Sequence, residues 1–198
     1  MNTLAKTILE HTKELPEGTP ICAKALLHLG GRAAVDQALS RLVKRGRLLR
    51  VSRGVYVRPV ESRFGTRSPS AAQVLEAFAG LKGETVAPHG AAAANRLGLT
   101  PQVPVRTVYL TSGPSRRLTL GAQAIELRHA PRWQLALAAR PAGEVLRALA
   151  WLGPDKAGEA LKALERRLSK SELKEIASAR SVLPAWLAEE ISEIVVNG

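Results

Sequence analysis

The chain has one cysteine, one methionine and four histidines, and only two aspartates, Asp36 and Asp155, among its 198 residues. A lone Cys22 excludes an internal disulfide and a thiolate metal site, so it reads as a small buried residue of a reducing compartment. His11, His28, His89 and His129 lie far apart, and no pair has the spacing of a helical metal motif. Asp36 and Asp155 are too distant in sequence to suggest the carboxylate pair of a nucleotidyltransferase. LTSGPSRRL, at residues 110–118, lacks the spacing and the Lys-Ser/Thr of a phosphate-binding loop and reads instead as a turn between strands. The expectation is a chain without catalytic residues, metal or cofactor.

Long apolar runs are missing too. None reaches the roughly 18 residues of a membrane span, and MNTLAKTILEHTKEL carries polar residues through what would have to be a signal core. No segment has the basic amphipathic form with large apolar anchors that binds a bilayer surface. A cytoplasmic protein with no membrane partner is expected.

What the chain has in excess is positive charge. Its formal net charge is +12 and its pI is near 10.7, which raises the local concentration of any polyanion. Residues 1–60 carry +7, residues 61–140 carry +6 and residues 141–198 carry −1, so the whole excess lies in the first 140 residues. At 45% hydrophobic the composition is that of a folded chain.

Apolar spacing predicts a first helix over about residues 3–14, broken by PEGTP, and a short second helix from Ile21 to Leu29 ending at Gly30-Gly31. A third helix is expected from Arg32 to Lys44, with Val35, Ala38, Leu39 and Leu42 on one stripe and a stop at Gly46. Leu49, Val51, Val55 and Val57 then alternate with Arg50, Tyr56 and Arg58 around Ser52-Arg53-Gly54, the pattern of a hairpin with one buried face. PVESRFGTRSP, at residues 59–69, has few apolar residues and several turn-formers, and marks a boundary between a first domain of residues 1–60 and a second of 61–198. In the second, helices at 71–81 and 91–97 and strands at 84–87, 105–111, 117–120 and 124–129 precede a helical tail from residue 132. The fold class expected is α+β: an N-terminal winged helix-turn-helix, then a mixed α/β domain with a small sheet and that tail.

Three helices and a hairpin in about 60 residues is the order of a winged helix-turn-helix, whose third helix enters the major groove while the hairpin tip follows the backbone or the minor groove. With the apolar stripe turned inward, Arg32, Ala33, Asp36, Gln37, Ser40, Arg41 and Lys44 face outward. Gln37 suits adenine and an arginine suits guanine, while Ser40 and Lys44 suit phosphates. Asp36 would repel phosphate, so it either holds Arg32 or accepts from a cytosine amine. Arg50, Ser52, Arg53 and Arg58 complete the expected contacts from the hairpin, where Gly54 allows a positive-φ turn. In the acidic-leaning tail, Glu189, Glu190 and Glu193 beside Ile191 offer a surface for self-association or for a partner.

GRAAVDQALSRLVKRGRLLRVSRGVY, followed by APHGAAAANRLGLTPQVPVRTVYLTSG and IELRHAP, resembles the AbiEi-type antitoxins and the prokaryotic proteins grouped with them. The resemblance covers roughly residues 1–140. It implies an N-terminal winged helix that binds inverted repeats of double-stranded DNA in its own promoter, and a C-terminal domain needed for antitoxicity. It also implies a functional partner, a nucleotidyltransferase-like toxin, that a type IV antitoxin need not touch. Carried over, the DNA contacts fall chiefly on Arg32, Gln37, Arg41, Lys44 and Arg53. Arg96, Arg116, Arg117 and Arg128 are expected to extend the basic surface in the second domain. A module that binds its toxin directly and a solitary regulator remain the alternatives.

Overall fold

The computed structural model describes residues 3–197, with side chains through Glu193. Mixed α and β elements form small sheets, and helices fill the C-terminal part. No helix among the described residues is long and apolar enough to cross a membrane.

The chain divides into two compact units, the first comprising residues up to Glu84 with Arg117–Ile125, the second Thr85–Arg116 and Glu126 onward. This division differs from the boundary at 60/61 read from the sequence. The segment read there as the boundary is structured, and a later hairpin counts partly with the first unit.

In the first unit, helix α1 (Thr3–Lys13) packs on α2 (Arg32–Lys44) through Ile8, Leu9, Val35, Ala38, Leu39 and Leu42, all buried. The expected second helix does not form. Ile21–Cys22 is instead a two-residue strand, β1, followed by a single 3₁₀ turn at Ala23–Leu26. Tertiary pairing overrides helical spacing here: β1 joins β3 (Val55–Val57) antiparallel with Ile21 opposite Tyr56, and Ala23 N–H donates to the Gly54 carbonyl at 2.8 Å. Cys22 is half-buried.

Strand β2 (Leu49–Ser52) flanks β3 on its other side, giving the order β1-β3-β2. A register shift between Arg50 and Ser52 lets Arg53-Gly54 close the hairpin, and Gly54 sits at φ +73°, where a side chain would be strained. All three residues of β3 are buried, and Tyr56 packs in the cluster of the helices rather than turning outward as its alternation suggested. The expected boundary segment forms a second hairpin, β4 (Val60–Ser62) with β5 (Gly65–Arg67). It is tied down by the pairs Arg47–Glu61 at 3.9 Å and Arg67–Glu17 at 3.3 Å. Helix α3 (Ala71–Lys82) buries Val74, Leu75, Phe78 and Ala79.

The remaining strands are β6 (Val86–Pro88), β7 (Thr107–Thr111), β8 (Arg116–Leu120) and β9 (Gln123–His129), in the order β6-β7-β9-β8. In the second unit α4 (Gly90–Arg96) lies against α5 (Pro141–Leu152) through Ala93, Ala94 and Ala148, all fully buried. Small side chains permit this closeness, and Gly90 permits most: a Cβ there would overlap the Arg147 carbonyl oxygen and lie 2.6 Å from Trp151 Cβ. The helical tail expected from residue 132 opens with only a 3₁₀ turn, Arg132–Leu135, and its first α-helix is α5. Helices α6 (Pro154–Glu165), α7 (Lys170–Ser178) and α8 (Ala185–Asn197) complete a core around Leu146, Leu149, Leu161, Leu164, Ile176 and Leu187. Ser169 and Glu172 start α7 with reciprocal side-chain and backbone hydrogen bonds, a capping box.

Two glycine substitutions should therefore act in opposite senses. Gly90→Ala is expected to destabilise by roughly 1–3 kcal/mol through overpacking. Gly80→Ala, at an exposed position of α3 with open space at its Cβ, should stabilise by roughly 0.5–1 kcal/mol. Thermal melts of the two variants test this pair, and a neutral Gly90→Ala would contradict the close approach of α4 and α5.

Candidate nucleic-acid interface

Burial fixes the rotation of α2. With Val35, Ala38, Leu39 and Leu42 inward, Arg32, Ala33, Asp36, Gln37, Ser40, Arg41 and Lys44 are all exposed, so the expected outer face forms as a single surface. Arg32 Nε donates to Asp36 Oδ2 at 2.8 Å, which is the intrahelical pairing of the two readings open for Asp36. The N-terminus of α2 is electropositive beyond its side chains. Gly31 supplies no side-chain cap, no acid lies in the first turn, and the cation Arg32 stands where it opposes the helix macrodipole. The N–H groups of Arg32, Ala33 and Ala34 belong to the turn that finds no acceptor within the helix, which suits an anion.

The β2–β3 hairpin carries Arg53 exposed at its tip and Arg50 exposed on the edge strand, where Arg50 Nε donates to the Ser52 carbonyl at 3.4 Å. Ser52 is half-buried. Arg58 departs from the expectation of an outer-face contact. It follows β3, at the end of the hairpin away from the tip, and is half-buried where it lines two adjoining clefts. The chain turns into β4 immediately after it, so strand alternation no longer sets its direction.

Sequence reasoning left Arg45 and Arg47 out of the interface, although the run KRGR announced them; both are exposed just beyond α2. It also passed over the tip of the β4–β5 hairpin. There Phe64 is 86% exposed, with the Arg63 guanidinium 4.7 Å from its ring centroid. The Gly65 after Arg63-Phe64 was the available turn signal.

Of the four arginines expected to extend the basic surface, Arg117 counts with the first unit, and Arg96, Arg116 and Arg128 with the second. Arg96 is paired with Glu144, Arg128 with Glu126 at 2.9 Å, and Arg116 Nη1 donates to the Pro114 carbonyl at 3.1 Å. These three are thus engaged locally rather than assembled into one patch. In α5, Arg147 is fully buried, and burial pulls its guanidinium down to about 10 against the opposing pull of Glu144. It donates to the Ala138 carbonyl at 3.3 Å, holding the segment that leads into α5. Among the described residues no group of three or more His, Cys, Asp or Glu is placed to hold a metal ion.

His89 caps α4, its Nδ1 accepting from Ala91 N–H at 3.2 Å. Burial, and then the charge of Arg128, lower its pKa below the usual 6.5, with Glu126 opposing. The fold therefore favours neutral His89, and protonation removes the acceptor that caps the helix. The unfolded chain takes up the proton first as pH falls, so stability should drop as pH falls through 6.5 and level off below the folded-state pKa. Melting midpoints at pH 7.5 and 5.5 test this. Wild type should lose more than His89→Asn, which retains a capping side chain; equal losses would contradict it.

A family of unknown function, DUF6088, matches over residues 7–178. No curated protein and no solved structure matches the chain. The family match spans both compact units, from within α1 to the end of α7, and on that extent the chain is a member of the DUF6088 family.

Proposed function

We propose that the chain is a DNA-binding transcriptional regulator whose first unit acts as a winged helix-turn-helix, with α2 as the recognition helix and the β2–β3 hairpin as the wing. The observation that carries this reading is the outer face of α2: Arg32, Gln37, Ser40, Arg41 and Lys44 exposed together, with its lone acid neutralised by Arg32. An Arg-tipped hairpin follows directly in the chain. Phosphate contacts from Lys44, Arg53 and the α2 N-terminus would set the register, and Gln37 and Arg41 would read base edges. Two copies on an inverted repeat overlapping the promoter would repress by steric exclusion.

The fuller reading is an autorepressor that serves as the antitoxin of a type IV toxin-antitoxin system and counteracts a nucleotidyltransferase-like toxin. It rests on the two sequence blocks that resemble AbiEi-type antitoxins, because the family description carries no function. One observation favours a second reading, direct docking of a protein partner. In the second unit Val103 and Val105 are 74% and 100% exposed, and Val105 borders an open cleft of about 340 Å³ with His89, Arg106 and Arg128. Stable co-purification with the toxin would favour that alternative.

Gel-shift titration against the chain's own upstream duplex and a scrambled duplex, at two salt concentrations, tests the DNA reading. Arg53→Ala should weaken binding to both duplexes and reduce the salt slope by about one. Gln37→Ala should cost about 1–3 kcal/mol of preference for the upstream duplex, with a smaller loss on the scrambled one. Equal effects of both substitutions on both duplexes would contradict this division of labour.

A further inference from the structure

Beyond the C-terminus of α2, a cleft of about 200 Å³ opens among the last turns of α1 and α2, the corner between β3 and β4, and strand β5. Its walls carry Lys13, Arg45, Arg47 and Arg58, with Glu61 and Thr66. The carboxylates within reach do not balance these cations. Glu10 holds Lys13 at 3.1 Å, and Glu61 reaches Arg47 only at 3.9 Å. The side chains of Arg45 and Arg58 have no hydrogen-bonded or ion-paired partner among the described residues. Two helix C-termini add about half a negative charge each. Set against four cations, these groups leave about one positive charge in the cleft.

Complementing helix ends explains part of the cluster, since Lys13 closes α1 and Arg45 follows α2. It does not explain Arg58, which follows a strand. A half-buried guanidinium with no carboxylate within ion-pairing distance is an unfavourable arrangement in a finished fold. Arg58 also borders the adjoining cleft of about 230 Å³, whose Glu61 is shared with the first and whose Glu17 is paired with Arg67 at 3.3 Å. Both volumes fall below the roughly 300–1,000 Å³ of sites for drug-sized ligands, and suit a single small group.

We propose that this cleft is a binding seat for one phosphate group, with Arg58 as its principal donor and Arg45, Arg47 and Thr66 around it. The guanidinium fork matches phosphate oxygens in pairs. The occupant is either a backbone phosphate of a bound duplex or the phosphate of a small molecule; the seat itself does not depend on the DNA reading.

Titration of the full-length protein with inorganic phosphate, followed by calorimetry at ionic strength held constant with sodium chloride, tests the seat. Saturable binding is expected, at least tenfold weaker in Arg58→Gln and in Arg45→Gln and unchanged in Arg132→Gln, an exposed arginine of the second unit. Arg45 is exposed, so its variant serves if Arg58→Gln fails to fold. Lack of saturation in wild type, or equal saturation in the two cleft variants, would overturn the proposal. A gel shift of the upstream duplex with saturating phosphate then separates the sources. Displacement beyond that caused by matched chloride, absent in Arg58→Gln, identifies a backbone phosphate; unchanged duplex affinity identifies a small phosphorylated ligand. Failure of the duplex to bind at all leaves the phosphate titration standing, so the two readings fail separately.

Discussion

The burial of four side chains, Val35, Ala38, Leu39 and Leu42, fixes which way α2 faces. Each larger one removed from water contributes about 1.5–3 kcal/mol, so turning the helix would forfeit most of the packing against α1. Exposure of Arg32, Gln37, Ser40, Arg41 and Lys44 follows from that constraint by helical geometry alone. The hairpin that carries Arg53 depends on the same core, because Tyr56 of its central strand is buried in the cluster that holds α2. A cation in the first turn without a capping side chain works against helix stability. Such local cost is expected where a surface is kept for a ligand.

The second unit follows a different logic. Alanines and Gly90 bring α4 and α5 together, and the three helices beyond α5 build a leucine-rich core of ordinary character. Its arginines mostly have local partners. Its exposed features include the Val103 to Arg106 segment and the cleft beside His89, which is apolar with a few basic groups rather than uniformly positive. That contrast is the reason the proposed nucleic-acid contact is placed on the first unit rather than the second. Phosphate recognition beside α2 would give the first unit two anion-binding surfaces, one at each end of the same helix.

Much of this was legible in the sequence where one physical signal dominated. Strong 3.6-residue spacing and a glycine stop gave α2 its ends and its buried stripe, and Ser52-Arg53-Gly54 marked the hairpin turn. Other segments were opaque for identifiable reasons. Ile21 to Leu29 has helical spacing, but its first two residues pair with β3, a partner some 35 residues away that no local pattern reveals. Val60 to Arg67 is too short and too polar to stand out as a hairpin, since its anchors are ion pairs to Arg47 and Glu17. Tyr56 broke the inside-outside alternation because the residues of β3 are buried on both sides, Tyr56 in the cluster that holds α1 and α2. Arg58 was placed by the same alternation and sits instead at a corner where the rule ends.

The most direct test of the central claim is backbone hydrogen exchange with and without the upstream duplex. The amides of Arg32, Ala33 and Ala34 precede the first intrahelical bond of α2, which runs from Val35 N–H to the Gly31 carbonyl, and should exchange rapidly in the free protein. The account predicts that the duplex slows exchange at residues 32–34 and at the Arg53-Gly54 turn. Slowing confined to the second unit, with these amides unchanged, would contradict it.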